Sequence, residues 1–389
     1  MKLAFIIPWY SDHPVGGAEL EAKRTVENLH LRGHHVEVFT TCGQDFRSSW
    51  DINHYPEGRT EVRGVPVTRF AMDERDGPLF DQVNKRLMRE QAITPVEELV
   101  YVGQSIRSRR MEAYLVGHRD EYRFVFTPYM FGTTYWGSQV APGESFLLPC
   151  LHDEIYARLD VFRQMFRQFK KVLFYSRAER DLARRLYGLP SEQCTFIGGG
   201  VDADVAGDGE RFRRKFEIAQ PFLLYVGRKD AGKNVGELVR FLDRYHSRHE
   251  SDLRLVALGA GSLDVPTSLS DRVLDLGFVS QSDKYDACAA ASVLWQPSLN
   301  ESFSLVLMES WLCGTPVIVN SRCATTLEHC LASNGGLFYG DYAEFEACID
   351  WFLAEPGQAK RMVQLGREYV QRNFHWGRIM ERVERALFV

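Results

Sequence analysis

Short apolar runs alternate with polar, helix-patterned segments along this chain. KLAFIIPW (2–9) is apolar without a period-two break, the pattern of a strand buried on both faces of a parallel sheet. After the loop SDHPVGG, the segment AELEAKRTVENLHLRG sets Ala18, Ala22, Val26 and Leu29 on one helical stripe, and Gly33 closes it. HVEVFTT (35–41) is the next strand, so the chain opens as strand, loop, helix, strand. Further buried strands are predicted at 122–128, 145–151 and 171–175. Ser176 and Glu179 then form a capping box for a helix ending near Gly188.

A second alternating series starts after GGGVDADVAGDGE (198–210), whose Gly and Asp content marks a linker. Its strands are predicted at 221–227, 253–261, 272–278, 293–298 and 315–320. The tail breaks at Pro356-Gly357, resumes as a helix to about Arg372 and restarts at HWGRIMERVERALF. Strands alternating with helices in both halves predict an α/β protein of two doubly wound domains. At 389 residues the chain exceeds one ordinary core of about 150 residues. Ligands of open α/β sheets bind beyond the carboxyl ends of the strands, which predicts a site in a cleft between the two domains.

Composition narrows the classes. A content of 45% hydrophobic and 25% charged residues is that of an ordinary globular protein, so neither disorder nor a fibrous repeat is indicated. A net charge of -5 supplies no broad basic field and argues against nucleic acid as a partner. The eight cysteines contain no CxxC pair, which predicts reduced, mostly buried thiols and a cytoplasmic protein. The apolar start is too short for a signal or membrane helix. Basic stretches at 84–90 and 105–119 suit either solvated helix faces or an anionic lipid-linked acceptor and the membrane surface.

The chemistry concentrates in two loops. GRKDAGKN, directly after the strand FLLYVG, carries Arg228 and Lys233, a bidentate guanidinium and a point-charge ammonium suited to a pyrophosphate. ESFSLVLMES (301–310) places Glu301 and Glu309 around an apolar segment, where a carboxylate is costly to bury without a partner. A helix starting near Ser304 turns the amides of Ser302, Phe303 and Ser304 toward an anion. Each carboxylate accepts hydrogen bonds only, so both glutamates suit the hydroxyls of a ribose or hexose. Asp202 and Asp204 form a D-x-D next to the linker glycines, where a turn is the simpler reading than a metal site.

Glu301 and Glu309, followed by LCGTPVI and preceded by GRKDAGK, resemble the retaining, nucleotide-sugar-dependent glycosyltransferases of the GT4 family. GGAE after the first strand, His152 in LPCLHDE, FIGGGVD and the closing FHWGRIMERV extend the resemblance over nearly the whole chain. It implies the GT-B fold, two Rossmann-like domains facing across a cleft: residues 1–203 with 375–389 on the acceptor side and 204–374 binding the donor. It implies that Arg228 and Lys233 hold the donor pyrophosphate, Glu309 the ribose and Glu301 the donor sugar. Gly17 would approach the phosphate and His152 would stand beside donor sugar and acceptor. Ser302, Phe303, Ser304 and Leu305 would line the donor site, and the loops at Gly259 and Val279 would hold the base. No cofactor and no metal are implied beyond the nucleotide sugar itself; the partner is a glycan or lipid-linked acceptor, with peripheral contact at the inner face of the membrane. The family usually has Gly where this chain has Ser302 and Ser304, which opens the identity of the donor. A GT-B-shaped epimerase and a non-catalytic sugar-nucleotide binder are the alternatives. An NAD-dependent oxidoreductase is disfavoured because HPVGGAE lacks the G-x-G-x-x-G spacing.

Overall fold

A computed structural model describes residues 2–13, 16–202 and 204–388. Pro14 and Val15 of the first predicted loop, and Ala203 of the predicted linker and D-x-D, lie outside them. The chain divides into two compact units, Met1–Gly200 with Gly377–Val389 and Val201–Trp376. The family resemblance implies these divisions at 203/204 and 374/375.

The first unit runs β1 (Lys2–Ile7), α1 (Gly17–Leu31), β2 (Val36–Thr41), β3 (Gly58–Val62), β4 (Val65–Phe70), α2 (Gly77–Met88), α3 (Pro95–Gly103), α4 (Arg109–Gly117), β5 (Tyr122–Phe126), α5 (Gly132–Gly137), β6 (Phe146–Leu147), α6 (Asp160–Arg167), β7 (Lys171–Phe174), α7 (Arg177–Tyr187) and β8 (Cys194–Phe196). Its eight strands lie in the order β3-β4-β2-β1-β5-β6-β7-β8, parallel except for the β3–β4 hairpin. β1 is central, and Leu3 to Ile7 are buried, which is why that segment carries no polar alternation. On α1 the predicted stripe meets the sheet through Ala22, Val26 and Leu29, all buried. α7 starts at Ser176, whose hydroxyl accepts the Glu179 amide at 3.0 Å, and stops at Gly188 in the left-handed region, as its capping residues predict.

The second unit runs α8 (Gly209–Phe216), β9 (Phe222–Val226), α9 (Gly236–Arg248), β10 (Arg254–Leu258), β11 (Val273–Gly277), α10 (Gln281–Ala290), β12 (Val293–Gln296), α11 (Leu305–Cys313), β13 (Val317–Asn320), α12 (Ala324–Ser333), β14 (Gly336–Tyr339), α13 (Tyr342–Ala354) and α14 (Pro356–Asn373). Its six strands are all parallel, in the order β11-β10-β9-β12-β13-β14. The chain ends in α15 (Trp376–Phe388), which is tied to the first unit by Arg32 to Glu384 at 2.7 Å and by Arg382 donating to the Ile197 carbonyl at 3.0 Å.

The predicted strand 145–151 is corrected to two residues. Pro149 has no N–H to give a ladder, and Cys150 sits at φ +54°, so pairing stops at Leu147 and the remainder is loop. The sequence alone does not predict the hairpin of β3 and β4, the edge strands β8 and β14, or helices α3, α5 and α6, while α2 and α4 fall on the basic stretches 84–90 and 105–119 that suit solvated helix faces. All eight cysteines are free thiols.

A surface cluster on α9 and α13 makes the second unit sensitive to acid. Glu346 accepts from His249 at 2.8 Å, Arg248 at 2.8 Å and Tyr342 at 3.0 Å. The His249 bond, against the opposing effect of burial and with help from Arg248 and Tyr342, lowers its pKa to about 2. A depressed carboxylate contributes stability above its unfolded pKa of about 4.3 and loses it as pH falls through the folded value. Melting temperatures of the wild type and Glu346→Gln are therefore expected to differ at neutral pH and to converge between about pH 4.5 and pH 2; a constant offset across that window refutes the assignment.

Candidate functional site

In the second sheet the strand order reverses between β9 and β12: the chain runs outward from β9 through β10 to β11, then returns to the other side of β9. Loops leaving the carboxyl ends of two such strands diverge and open a crevice. The loop after β9 carries Arg228 and Lys233, and the loop after β12 carries Glu301 to Ser304. Both charge-bearing motifs thus emerge at this switch point.

The two loops meet through Lys233, whose Nζ lies 2.7 Å from Glu301 Oε1 and 3.3 Å from the Asn300 carbonyl. Asn234, beside it in the left-handed region, donates to the Pro297 carbonyl at 3.1 Å. Gln296, at the end of β12, points its amide nitrogen at Glu301 Oε1 and Ser304 Oγ, each 3.4 Å away. Arg228 is half-exposed, with Nε 3.5 Å from Asp230, and its carbonyl accepts from the Tyr225 hydroxyl at 2.6 Å. Asp230 caps one turn of 3-10 helix, Ala231–Lys233, by accepting the Lys233 amide at 3.1 Å.

α11 begins at Leu305, one residue beyond the expected start, and Ser304 is its N-cap at φ +70°. A non-glycine residue there is strained, and the Ser304 side chain makes no cap hydrogen bond in return. The Phe303 ring is in the core, packed on His329 and Phe374 at 5.3 and 5.1 Å, so the group the sequence assigns to an anion there is its backbone amide. Ser302 is half-buried in the same loop.

Glu309 lies in the second turn of α11 and is 5% exposed. Its Oε1 accepts from Lys284 Nζ at 2.6 Å and from the Tyr285 hydroxyl at 3.4 Å, both on α10. Burial works against the Lys284 charge, but the Glu309 carboxylate outweighs it by charge and hydrogen bond and raises the lysine pKa. The sequence reading missed Lys284, since nothing in its spacing announces a partner on another helix.

The sequence reading also missed Lys229, between Arg228 and Asp230, whose side chain is fully buried. Its Nζ bonds the Gly259 carbonyl and stands 2.6 Å from Asp275 of β11, while its amide donates to the Ala260 carbonyl at 2.8 Å. Lys229 thereby fastens the Arg228 loop to the ends of β10 and β11. Gly259 is required at this junction: it lies at φ +119°, and a Cβ there would stand 2.1 Å from the Gly227 carbonyl oxygen. Val279 follows Gly277 in the loop before α10, next to Phe278, which is 88% exposed.

In the first unit, Gly17 opens α1. The preceding Gly16 amide is taken by Glu19 Oε2 at 3.2 Å, so a carboxylate already occupies this helix start. His152 lies in the loop after β6, its Nδ1 3.8 Å from Glu154 Oε1, and Tyr129 donates to that same oxygen at 3.2 Å. Asp202 accepts from the Trp376 indole at 3.0 Å. Among the described residues, no three His, Cys, Asp or Glu side chains gather as a metal-ligand set.

Residues 208–369 match the model of the family "Glycosyl transferases group 1". The second unit belongs to this family. The glycosyl transferase domain matched there contains Arg228, Lys233, Gly259, Val279, Glu301 and Glu309. Among curated proteins, the chain is 29% identical over 248 residues to a D-inositol 3-phosphate glycosyltransferase of Nocardiopsis dassonvillei, a match covering 58% of this chain and 57% of that one. The chain spans about half the length of the curated relatives it matches. Among solved structures, the sucrose-phosphate synthase of Thermosynechococcus elongatus superposes with a TM-score of 0.74 at 20% identity over 99% of this chain and 98% of that one. The Anabaena protein HepE, crystallised with UDP and glucose, gives a TM-score of 0.71 at 15% identity over 100% of this chain and 99% of that one. The fold is the GT-B architecture of two Rossmann-like domains.

Proposed function

We propose that this chain transfers a hexose-type sugar from a nucleoside diphosphate sugar to a carbohydrate or lipid-linked glycan acceptor, with retention at the anomeric carbon and without a metal. The observation that carries this reading is the meeting of two loops at the switch point of the second sheet, where Lys233 bonds Glu301 at 2.7 Å beside Arg228. Breaking the anomeric C–O bond puts negative charge on the departing diphosphate. Arg228, Lys233 and the amides of Ser302 to Ser304 are preorganised donors for that charge, each worth about 3 kcal/mol in the transition state. Glu301 is assigned the donor-sugar hydroxyls. Glu309 is assigned the ribose, through Oε2, because Lys284 and Tyr285 occupy Oε1. His152 is assigned orientation and proton handling, roles for which histidine is the usual side chain because an unperturbed imidazole changes charge close to neutral pH. UDP is the first base to test, since HepE was crystallised with it. We place the reaction on the cytoplasmic side of a membrane, in surface polysaccharide synthesis. Among the described residues no helix is long and apolar enough to cross that membrane, so contact there is peripheral in this reading.

The test is a thermal-shift screen against UDP, GDP, ADP and dTDP and their common sugars. One nucleotide is expected to raise the melting temperature, by an amount equivalent to about 2.7 kcal/mol at a hundredfold excess over Kd. Glu309→Gln, which keeps a polar partner for Lys284, is expected to lose most of that rise. A wild-type chain indifferent to every nucleotide refutes the proposal.

A further inference from the structure

The loop that carries His152 is held from below by a buried acid on another element. Glu179, on α7, is 2% exposed. Its Oε1 accepts the Leu151 amide at 2.6 Å and its Oε2 accepts the Tyr175 amide at 2.7 Å. Leu151 directly precedes His152 in the chain, and Tyr175 directly follows β7. One carboxylate thus ties the end of the β6 loop to the β7–α7 junction. The preceding residue, Cys150, is a non-glycine residue at φ +54°, and the Pro149 carbonyl accepts the Tyr129 amide at 3.0 Å. Backbone in that region persists only when its surroundings over-determine it.

We propose that Glu179 is a positioning residue for His152, its two carboxyl oxygens accepting the Leu151 and Tyr175 amides at once. This rests on the reading of His152 as a site residue. An ionised carboxylate offers lone pairs at both oxygens, whereas a carboxamide in its place points an NH2 at one of the two amides and breaks that bond. Protonating the acid weakens the same bond. Burial raises the Glu179 pKa to about 8, while the amides of Leu151, Tyr175 and Ser176 pull it back. The titratable groups around it are Cys150 of the β6 loop and Tyr175 after β7, both of which feel the Glu179 charge, and Glu21 of α1, whose charge acts on Cys150 and Tyr175. Burial pushes the Cys150 thiol and the Tyr175 phenol well above their ordinary values, so both stay neutral through the range in which Glu179 titrates.

The experiment uses the full chain with 13C-labelled histidine. The His152 ring signal is expected to show an inflection near pH 8 that Glu179→Gln lacks, and exchange of the Leu151 amide is expected to rise at least tenfold in that variant. Release of UDP from UDP-glucose, where the chain turns it over, is expected to lose kcat with KM little changed. Should Glu179→Gln not fold, Glu179→Asp, too short to reach both amides, takes its place with the same expectations. A wild-type His152 signal without the inflection, or unchanged Leu151 exchange in the variant, overturns the proposal. Coupling seen alongside a fully active His152→Ala chain supports the positioning and overturns the reading of His152 as a site residue.

Discussion

Lys229→Met is expected to destabilise the second unit by about 3 kcal/mol, a fall of roughly 6–12 °C in melting temperature for a unit of this size. The side chain is fully buried and its ammonium satisfies two partners, the Gly259 carbonyl and Asp275. Methionine keeps the length and the packing but leaves Asp275 without its counter-charge and the carbonyl without its donor, and an orphaned buried group costs its desolvation. Asp275 is 27% exposed at its side chain, so water compensates part of that loss. Adding Asp275→Asn to Lys229→Met is expected to recover much of the stability, which a double-mutant cycle measures. Nucleotide affinity is expected to fall as well, because Arg228 loses the anchor of its loop. A single-variant loss under 1 kcal/mol refutes this account of Lys229.

Lys233→Ala is expected to slow sugar transfer about 10²–10³-fold, the usual cost of removing one preorganised donor from a developing anion. The pair it forms with Glu301 makes the effect more than local. In the structure Glu301 Oε1 is fixed by Lys233 at 2.7 Å, so removing the lysine also releases the carboxylate assigned to the sugar. The losses from Lys233→Ala and Glu301→Gln should therefore not add, and the double variant should be scarcely slower than the worse single one. Lys233→Arg is expected to restore only part of the rate, since a planar fork does not reproduce a compact point charge between Glu301 and the Asn300 carbonyl. Rates that fall by the product of the two single effects would show that the pair is not a unit.

Where elements are buried on both faces, pattern alone predicts them. β1, β9, β10, β12 and β13 lie inside their sheets and read as largely apolar runs, and β2 and β5 carry apolar residues on either side of half-buried Glu37 and Arg123, so each was legible to within a few residues. The strands left out, β3, β8 and β14, are all at or next to a sheet edge or, with β4, in the edge hairpin. β3 is largely exposed and β8 only half-buried, so neither needs an apolar run. The Ser176–Glu179 cap and the Gly188 stop were legible for a different reason: capping is local chemistry within one turn.

The sequence by itself determined the two alternating α/β halves, the loops that carry Arg228, Lys233, Glu301 and Glu309, and the chemistry those side chains can offer, because periodicity and functional groups are properties of neighbours in the chain. Tertiary structure alone decided which charge answers which. Lys233 meets Glu301 across 68 positions, Lys284 meets Glu309 across 25, and Glu179 reaches Leu151 across 28. Lys229 finds Asp275 only because parallel pairing lays β9, β10 and β11 side by side. Such partners are chosen by strand order and register, and the desolvation cost that makes each pairing matter exists only once the surrounding chain has closed over it.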